Sequence, residues 1–457
     1  MKKVGRPRRP VRVGMIGLGC AKNLVDGEVM LGHLVEHGAE IVTGVDAADV
    51  VVVNTCGFID DAKRESIEAI LEVARHKAAG GVRRVVVAGC MAQRYAAELA
   101  AEIPEIDAFV GLDELERAPE AVLGRAAPDR LPDQRGALRL YDHAAPRLLS
   151  TGGVFAYLKV AEGCNNPCAF CHIPAMRGAF RSRPLASLAA EARRLEEAGV
   201  RELVLIAQDT TRYGEDIGLG RDGLARLVQA LLERTSFPWI RFLYAYPKTL
   251  DGSVLDLMAR EPRFVPYVDI PLQHVSRPIL AAMRRGGDGA SYLKMVRRMR
   301  ERVPDIALRT TFIVGFPGET DADFGALVEF VREAELDNVG AFAYSPEPGS
   351  GSEGLEDPIP AEEKQKRIDF LMSIQRSISR GRLRALRGRT VEALVEGPSE
   401  ETEYLLEGRL RSQAPEIDGR LLITDVGGRT LRPGDVVPVK IEKTFDYDLA
   451  GAVVAAR

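Results

Sequence analysis

The sequence predicts an α/β protein in three parts: an open parallel-sheet domain of flavodoxin or Rossmann type, a partial (β/α)6 barrel, and a small antiparallel, OB-like β-barrel. Three observations predict this. Strands and helices alternate through the first third, six further strand–helix units fill the middle, and short alternating runs with Gly turns occupy the end. The expected boundaries are 11–122, 150–380 and 383–457. At about 100–200 residues per domain, 457 residues with 46% hydrophobic content suffice for separate cores.

In the first part, Val11–Leu18, Val50–Asn54 and Val85–Ala88 are β-branched runs of strand length, and Asp61–Ala78 and Gln93–Ala101 have helical patterns. Leu123–Gly153 is rich in Pro, Arg and Ala and reads as a linker. The middle strands are Phe155–Val160, Leu203–Ala207, Ile240–Ala245, Val268–Leu272, Leu308–Val314 and Val339–Tyr344, with helices such as Leu188–Ala198 and Ala322–Ala334 between them. A Pro/Gly/Ser loop, Pro346–Pro360, precedes a helix from Ala361 to about Arg387 that grows basic at its end. Arg420–Thr424 and Val436–Ile441 are strand runs of the tail.

Net charge is −4, which demands no nucleic-acid partner. No apolar run is long enough for a bilayer. The start, Met1–Arg12, is basic, and Val11–Leu18 is too short and Gly-rich for a signal peptide, so a cytoplasmic protein is expected. The absence of exposed apolar repeats or heptads suggests a monomer. Six cysteines could form three disulfides, but a large cytosolic chain favours metal ligation or catalysis.

Cys164-Asn-Asn-Pro-Cys168-Ala-Phe-Cys171 follows a barrel strand, where barrel enzymes place their chemistry. Gly163 and Pro167 bend the loop. Three thiolates suit an iron–sulfur cluster with one open iron, which an amine and a carboxylate could chelate. A structural zinc site with His172 as fourth ligand is the alternative. Cys20, Cys56 and Cys90 each lie just past an apolar strand and before a helix, so they can converge at one edge of a parallel sheet. Gly19 and Gly89 precede two of them and ease the turn. The alternative here is three buried small hydrophobes. Gly17-Leu-Gly19 opens like a dinucleotide loop, but Lys22 stands where the third glycine belongs.

Both constellations, in this order and before a small β-barrel, resemble the methylthiotransferase family of radical S-adenosylmethionine enzymes over about Val11 to Val454. Gly19-Cys20-Ala-Lys-Asn-Leu-Val-Asp26, Asn54-Thr-Cys56-Gly-Phe-Ile59, Ala207-Gln-Asp-Thr-Thr-Arg-Tyr213 and Gln413-Ala-Pro-Glu-Ile-Asp-Gly419 resemble its RimO-type branch. That branch modifies an aspartate of small-subunit ribosomal protein S-twelve. The sister branch modifies an adenosine in transfer RNA and differs at these stretches. The resemblance implies a radical-SAM barrel followed by a TRAM domain, and two 4Fe–4S clusters. Cys164, Cys168 and Cys171 would hold the cluster that reduces S-adenosylmethionine to methionine and a 5′-deoxyadenosyl radical, which takes a hydrogen from the substrate β-carbon. Cys20, Cys56 and Cys90 would hold an auxiliary cluster carrying the sulfur. A second S-adenosylmethionine would supply the methyl group, and an electron donor is needed.

The aromatic Phe170, before the last cysteine, would lie near S-adenosylmethionine by the same resemblance; simple core packing is the alternative. Gln208 and Gly315, at strand ends, could line that cofactor's pocket, and for Gly315 and Gly318 a plain tight turn serves as well. His274 points toward the barrel mouth and could contact substrate, though it reads more simply as a satisfied barrel histidine. Residues 391–457 hold 8 Lys and Arg against 13 Asp and Glu, a net of −5. An acidic barrel repels phosphates and attracts a basic ribosomal protein, whereas solubility alone is the simpler account. The basic stretch Arg380–Arg389 leaves room for RNA, and a non-catalytic zinc or iron–sulfur protein is the reading from another class.

Overall fold

The computed structural model describes residues 9–125, 130–132, 140–399, 402 and 404–455. Most of the basic start, parts of the expected linker and the last two residues lie outside them. The chain forms two compact units. One is Met1–Ser150 with Glu162–Asn165 and His172–Arg183; the other is Thr151–Ala161, Asn166–Cys171 and Pro184–Arg457.

In the first unit, five parallel strands lie in the spatial order Glu40–Ile41, Arg12–Gly17, Val50–Thr55, Arg84–Gly89, Ala108–Val110. This is the flavodoxin order, with a ligand crevice where the order reverses. The central strands are apolar on both faces because both are covered. Val50, Val52 and Val86 pack with Met30 and Leu34, while Val51, Val53, Val85 and Val87 pack with Ile70, Val73 and Ala96. Registers Gly17↔Asn54, Asn54↔Ala88 and Thr55↔Gly89 keep the strand ends level.

The described part of the expected linker is not loose. Glu28, buried in helix Ala21–Glu36, takes Arg147 Nη2 at 2.6 Å and both Ser150 N (2.7 Å) and Oγ (2.9 Å). Pro146 lies so close to Gly32 that a Cβ there would meet its carbonyl carbon at 2.4 Å. Composition marks this stretch as irregular, but one buried carboxylate and one missing side chain fix it to the first unit.

In the second unit, strands Phe155–Lys159, Glu202–Ile206 and Trp239–Phe242 form one parallel sheet, and Tyr267–Asp269, Ala307–Val314 and Asn338–Ala343 another. A bridge from Ile240 to Phe264 and the bond from Ala245 N to Asp269 O (2.8 Å) join them into the six-strand partial barrel. Behind it, Thr390–Pro398, Leu406–Leu410, Leu421–Asp425, Leu449–Val453 and Val436–Thr444 close a second barrel around Val395, Ile423, Val439 and Ile441. Four pairings are antiparallel, and closure runs through one parallel pair, Leu421–Asp425 with Leu449–Val453. Parallel closure follows from topology. Strand Val436–Thr444 pairs back with the first strand, so the final hairpin arm fills the gap running with Leu421–Asp425.

The stretch Gln413–Gly419 leaves this barrel and enters the floor of the partial barrel. Tyr157 donates to Glu416 Oε2 (2.8 Å) and Tyr267 to Asp418 Oδ2 (2.7 Å). Beside them Glu202, fully buried, binds Arg241 at 2.7 Å and Arg409 at 2.6 Å.

Candidate functional site

The first cysteine trio is set by three strand ends. Cys20 caps the start of helix Ala21–Glu36, Cys56 follows Thr55, and Cys90 opens helix Cys90–Glu102. Gly19 (φ +91°) and Gly89 (φ +89°) take the backbone region that glycine alone adopts easily. A Cβ on Gly19 would come within 3.1 Å of the Cys56 sulfur, so the glycine keeps one cysteine loop against the next. Ser66 Oγ accepts from Cys56 N and donates to Cys56 O, each at 3.0 Å. Asn23 Nδ2 donates to the carbonyls of Leu18, Asn54 and Thr55, and Asn54 Nδ2 returns a bond to Asn23 O.

The three thiols perturb one another. Burial, and then the neighbouring Cys90 and Cys20, push the Cys56 thiol up to about 11. Burial also raises Cys90, against the pull of Arg177. Around Cys20, exposed as a residue, desolvation opposes ionisation, but Lys22, Arg177 and the backbone N–H groups of Asn23 and Lys22 hold its thiol below the usual value. Arg177 is the cation common to all three. It is buried, with Nη2 3.2 Å from the Cys90 sulfur and Nη1 3.1 Å from Asp26 and 3.0 Å from Glu162.

Cysteines 164, 168 and 171 fall within eight residues of chain. In the first unit, Cys164 N donates to Gly178 O (3.1 Å), and Gly163 (φ +82°) lies where a Cβ would strike Ala179 O at 2.2 Å. In the second unit, Arg285 Nη1 lies 3.4 Å from the Cys168 sulfur, while its Nη2 holds Pro271 O and its plane covers Tyr246. Asn166 is anchored to buried Asp209 (2.9 Å), which Thr211 and Thr249 also bind. All six cysteines are free thiols.

Phe170 packs against Ile279, Met283, Phe316 and Tyr344. Gln208 is half-buried two residues past strand Glu202–Ile206. Gly315 (φ +76°) follows strand Ala307–Val314, and its N–H donates to Glu319 (2.7 Å). Glu319 in turn binds Arg367 (2.6 Å) and lies 3.4 Å from His274 Nε2. His274 is wholly buried; its Nδ1 accepts from Ser276 N (3.0 Å), and its Nε2 has only the longer approach to Glu319.

Comparison with known proteins extends over nearly the whole chain. Residues 12–111 match the uncharacterized protein family UPF0004, 158–331 the radical SAM superfamily and 388–454 the TRAM domain. The ribosomal protein uS12 methylthiotransferase RimO of Solibacter usitatus is 47% identical over 449 residues, covering 97% of this chain and 95% of that protein. The protein of the same name from Symbiobacterium thermophilum is 48% identical over 443 residues, 97% and 91% of the two chains. The chain belongs to the RimO family. Among solved structures, the radical S-adenosylmethionine methyltransferase TsrM from Kitasatospora setae superposes with a TM-score of 0.53 at 18% identity, covering 73% of this chain and 72% of its own. That likeness shows a shared fold.

The donor set fits what the RimO family and radical-SAM superfamily require. Thiolates are the natural ligands of iron–sulfur cores, and six cysteines in two trios leave no fourth thiol for either. The first trio gathers as a neighbourhood: among the described residues, no three His, Cys, Asp or Glu side chains close around a point as ligands of a single ion would. Sequence reasoning passed over Arg177, Arg285 and Glu319, and took Asp209 only as part of a resembling stretch. The one available signal for Arg177 was a cation six residues past Cys171.

Proposed function

We propose that this chain is a radical S-adenosylmethionine methylthiotransferase that adds a methylthio group to the β-carbon of an aspartate in ribosomal protein uS12. It works in the cytoplasm as a monomer and needs an external electron donor. Among the described residues no helix is long and apolar enough to cross a membrane. Cys164, Cys168 and Cys171 hold the radical-generating 4Fe–4S cluster, and Cys20, Cys56 and Cys90 hold the auxiliary one. The observation that carries this is the level edge of the first sheet, where three strand ends bring three thiols into mutual influence.

Once bound, the clusters and S-adenosylmethionine supply the electron, sulfur and methyl chemistry. The chain's own residues supply position. Gly163 and the Asn166–Asp209 bond shape the 164–171 loop. Glu319 fixes the Gly315 N–H and, with Arg367, the turn that with Gln208 lines the S-adenosylmethionine pocket. Phe170 extends an apolar cluster that keeps water from the loop. The bond from Ser276 N to Nδ1 keeps the His274 proton on Nε2, toward Glu319.

The acidic C-terminal barrel docks the basic substrate. Its net charge of −5 supports this, although Glu416 and Asp418 are already engaged by Tyr157 and Tyr267. Asp425 and Glu442 remain exposed. The paired change Asp425→Lys with Glu442→Lys weakens uS12 binding severalfold, most at low salt. Affinity unaltered by the reversal at any ionic strength rules this docking face out. For the reaction, the anaerobically reconstituted enzyme is offered uS12 or transfer RNA with S-adenosylmethionine and a reductant. A single methylthio addition on uS12 is expected, and modification of the RNA alone overturns the substrate reading.

A further inference from the structure

The short helix Ile173–Arg177 directly follows the second cysteine motif, yet its side chains serve the first trio. Ile173 and Met176 pack with Cys90, Leu112 and Phe58. Arg177, 2% exposed, spreads its guanidinium over three partners: Nη1 binds Asp26 and Glu162, and Nη2 reaches the Cys90 sulfur at 3.2 Å. Two carboxylates already neutralise a buried arginine. A purely structural ion pair would turn both amino groups to them. Here one amino group is given to sulfur.

We propose that Arg177 is a positioning residue for the first trio, holding Cys90 in place and raising the reduction potential of the cluster that Cys20, Cys56 and Cys90 carry. This rests on the reading that those three cysteines hold a 4Fe–4S cluster. A reduced cluster carries one more negative charge than an oxidised one. A cation and an N–H donor at a ligand sulfur stabilise that extra charge, so the potential rises. The carboxylates of Asp26 and Glu162 keep the guanidinium in place. Without Arg177 they would face the cluster uncompensated and drive the potential down further.

The test is a redox titration of the reconstituted full-length protein, followed by electron paramagnetic resonance. The Cys164/Cys168/Cys171→Ala triple variant identifies the signal of the first cluster. Arg177→Gln is expected to lower that cluster's reduced-to-oxidised ratio at fixed potential tenfold or more, about 59 mV for a one-electron couple. Arg177→Lys keeps a charge against Asp26 and Glu162 and so preserves the fold. It loses the fork, and its midpoint should fall between those of wild type and Arg177→Gln. The second cluster's midpoint should stay where it is. Wild-type midpoints in both variants at full iron content, or equal shifts in both clusters, overturn the proposal. A Cys20/Cys56/Cys90→Ala variant that keeps all its iron overturns instead the cluster reading beneath it, whatever Arg177 does.

Discussion

At Gly89 the backbone takes φ +89° and ψ −157°, and a Cβ would lie 2.5 Å from Thr55 O and 2.6 Å from Asn54 Oδ1. Both obstacles are held, Asn54 by its bond to Asn23 O and Thr55 by its place in the central sheet. Gly89→Ala therefore has nowhere to relax. It should cost roughly 1–3 kcal/mol from backbone strain alone, read as a lower urea midpoint, and should speed reaction of the Cys90 thiol with a disulfide reagent. Wild-type values for both would mean that the turn has slack. Glycine before a cysteine at a strand end was legible because a sharp turn needs it whatever surrounds it. Asn23 and Arg177 were not. Asn23 serves carbonyls at positions 18, 54 and 55, and Arg177 reaches back 87 residues to Cys90. Such roles exist only once the sheet has brought distant segments together.

The turn Gly315–Gly318 shows the same division one level up. Strand Ala307–Val314 and helix Asp321–Ala334 are plain in the residue pattern, and glycine after a strand implies a turn. What holds the turn is Glu319, and its partners Arg367 and His274 come from 48 and 45 residues away. Burial alone would raise the Glu319 carboxyl, but His274, Arg367 and the Gly315 N–H hold it below its ordinary 4.5. The folded value is the depressed one. The stabilisation is therefore complete above about pH 4.5 and is lost as pH falls through the folded value. Glu319→Gln leaves Arg367 without its main buried partner and should cost about 3–5 kcal/mol at pH 7. The gap from wild type should narrow below pH 4.5. Parallel stability curves for the two proteins between pH 3 and pH 7 would refute the assignment. S-adenosylmethionine affinity, measured by calorimetry on the reconstituted protein, should weaken in the same variant.

Across the second unit, a six-strand barrel and a five-strand barrel are bridged by a buried ion pair and by tyrosine–carboxylate bonds. Only two runs of the second barrel stood out in the sequence, whereas the six strands of the first were readable because each is a short apolar run between turn residues. The way the barrels join was not, because Gln413–Gly419 and the barrel-floor residues Tyr157, Glu202, Arg241 and Tyr267 show no pattern that pairs them in advance. This junction makes a prediction in which two carboxylates behave oppositely. Against the penalty of its burial, Arg409 and Arg241 hold Glu202 below 4.5, so its contribution to stability is present above that pH and lost below it. Burial pushes Asp418 above its ordinary 3.8, against the pull of Ala414 N, Tyr267 and Arg309. Its raised value means that the fold is favoured while the carboxyl is protonated and loses stability as pH climbs from 3.8 through the folded value. Glu202→Gln strands two buried guanidinium groups and should cost about 3–5 kcal/mol at pH 7. Asp418→Asn keeps an oxygen that can accept from Tyr267 and Ala414, and it removes the ionisation that burial penalises. It should equal wild type near pH 3.8 and exceed it at pH 7. Thermal melts of the two variants at both pH values decide the matter. If Asp418→Asn melts lower than wild type at pH 7, the 3.7 Å pairing of Arg309 with Asp418 outweighs burial, and the barrels are held by that ion pair instead.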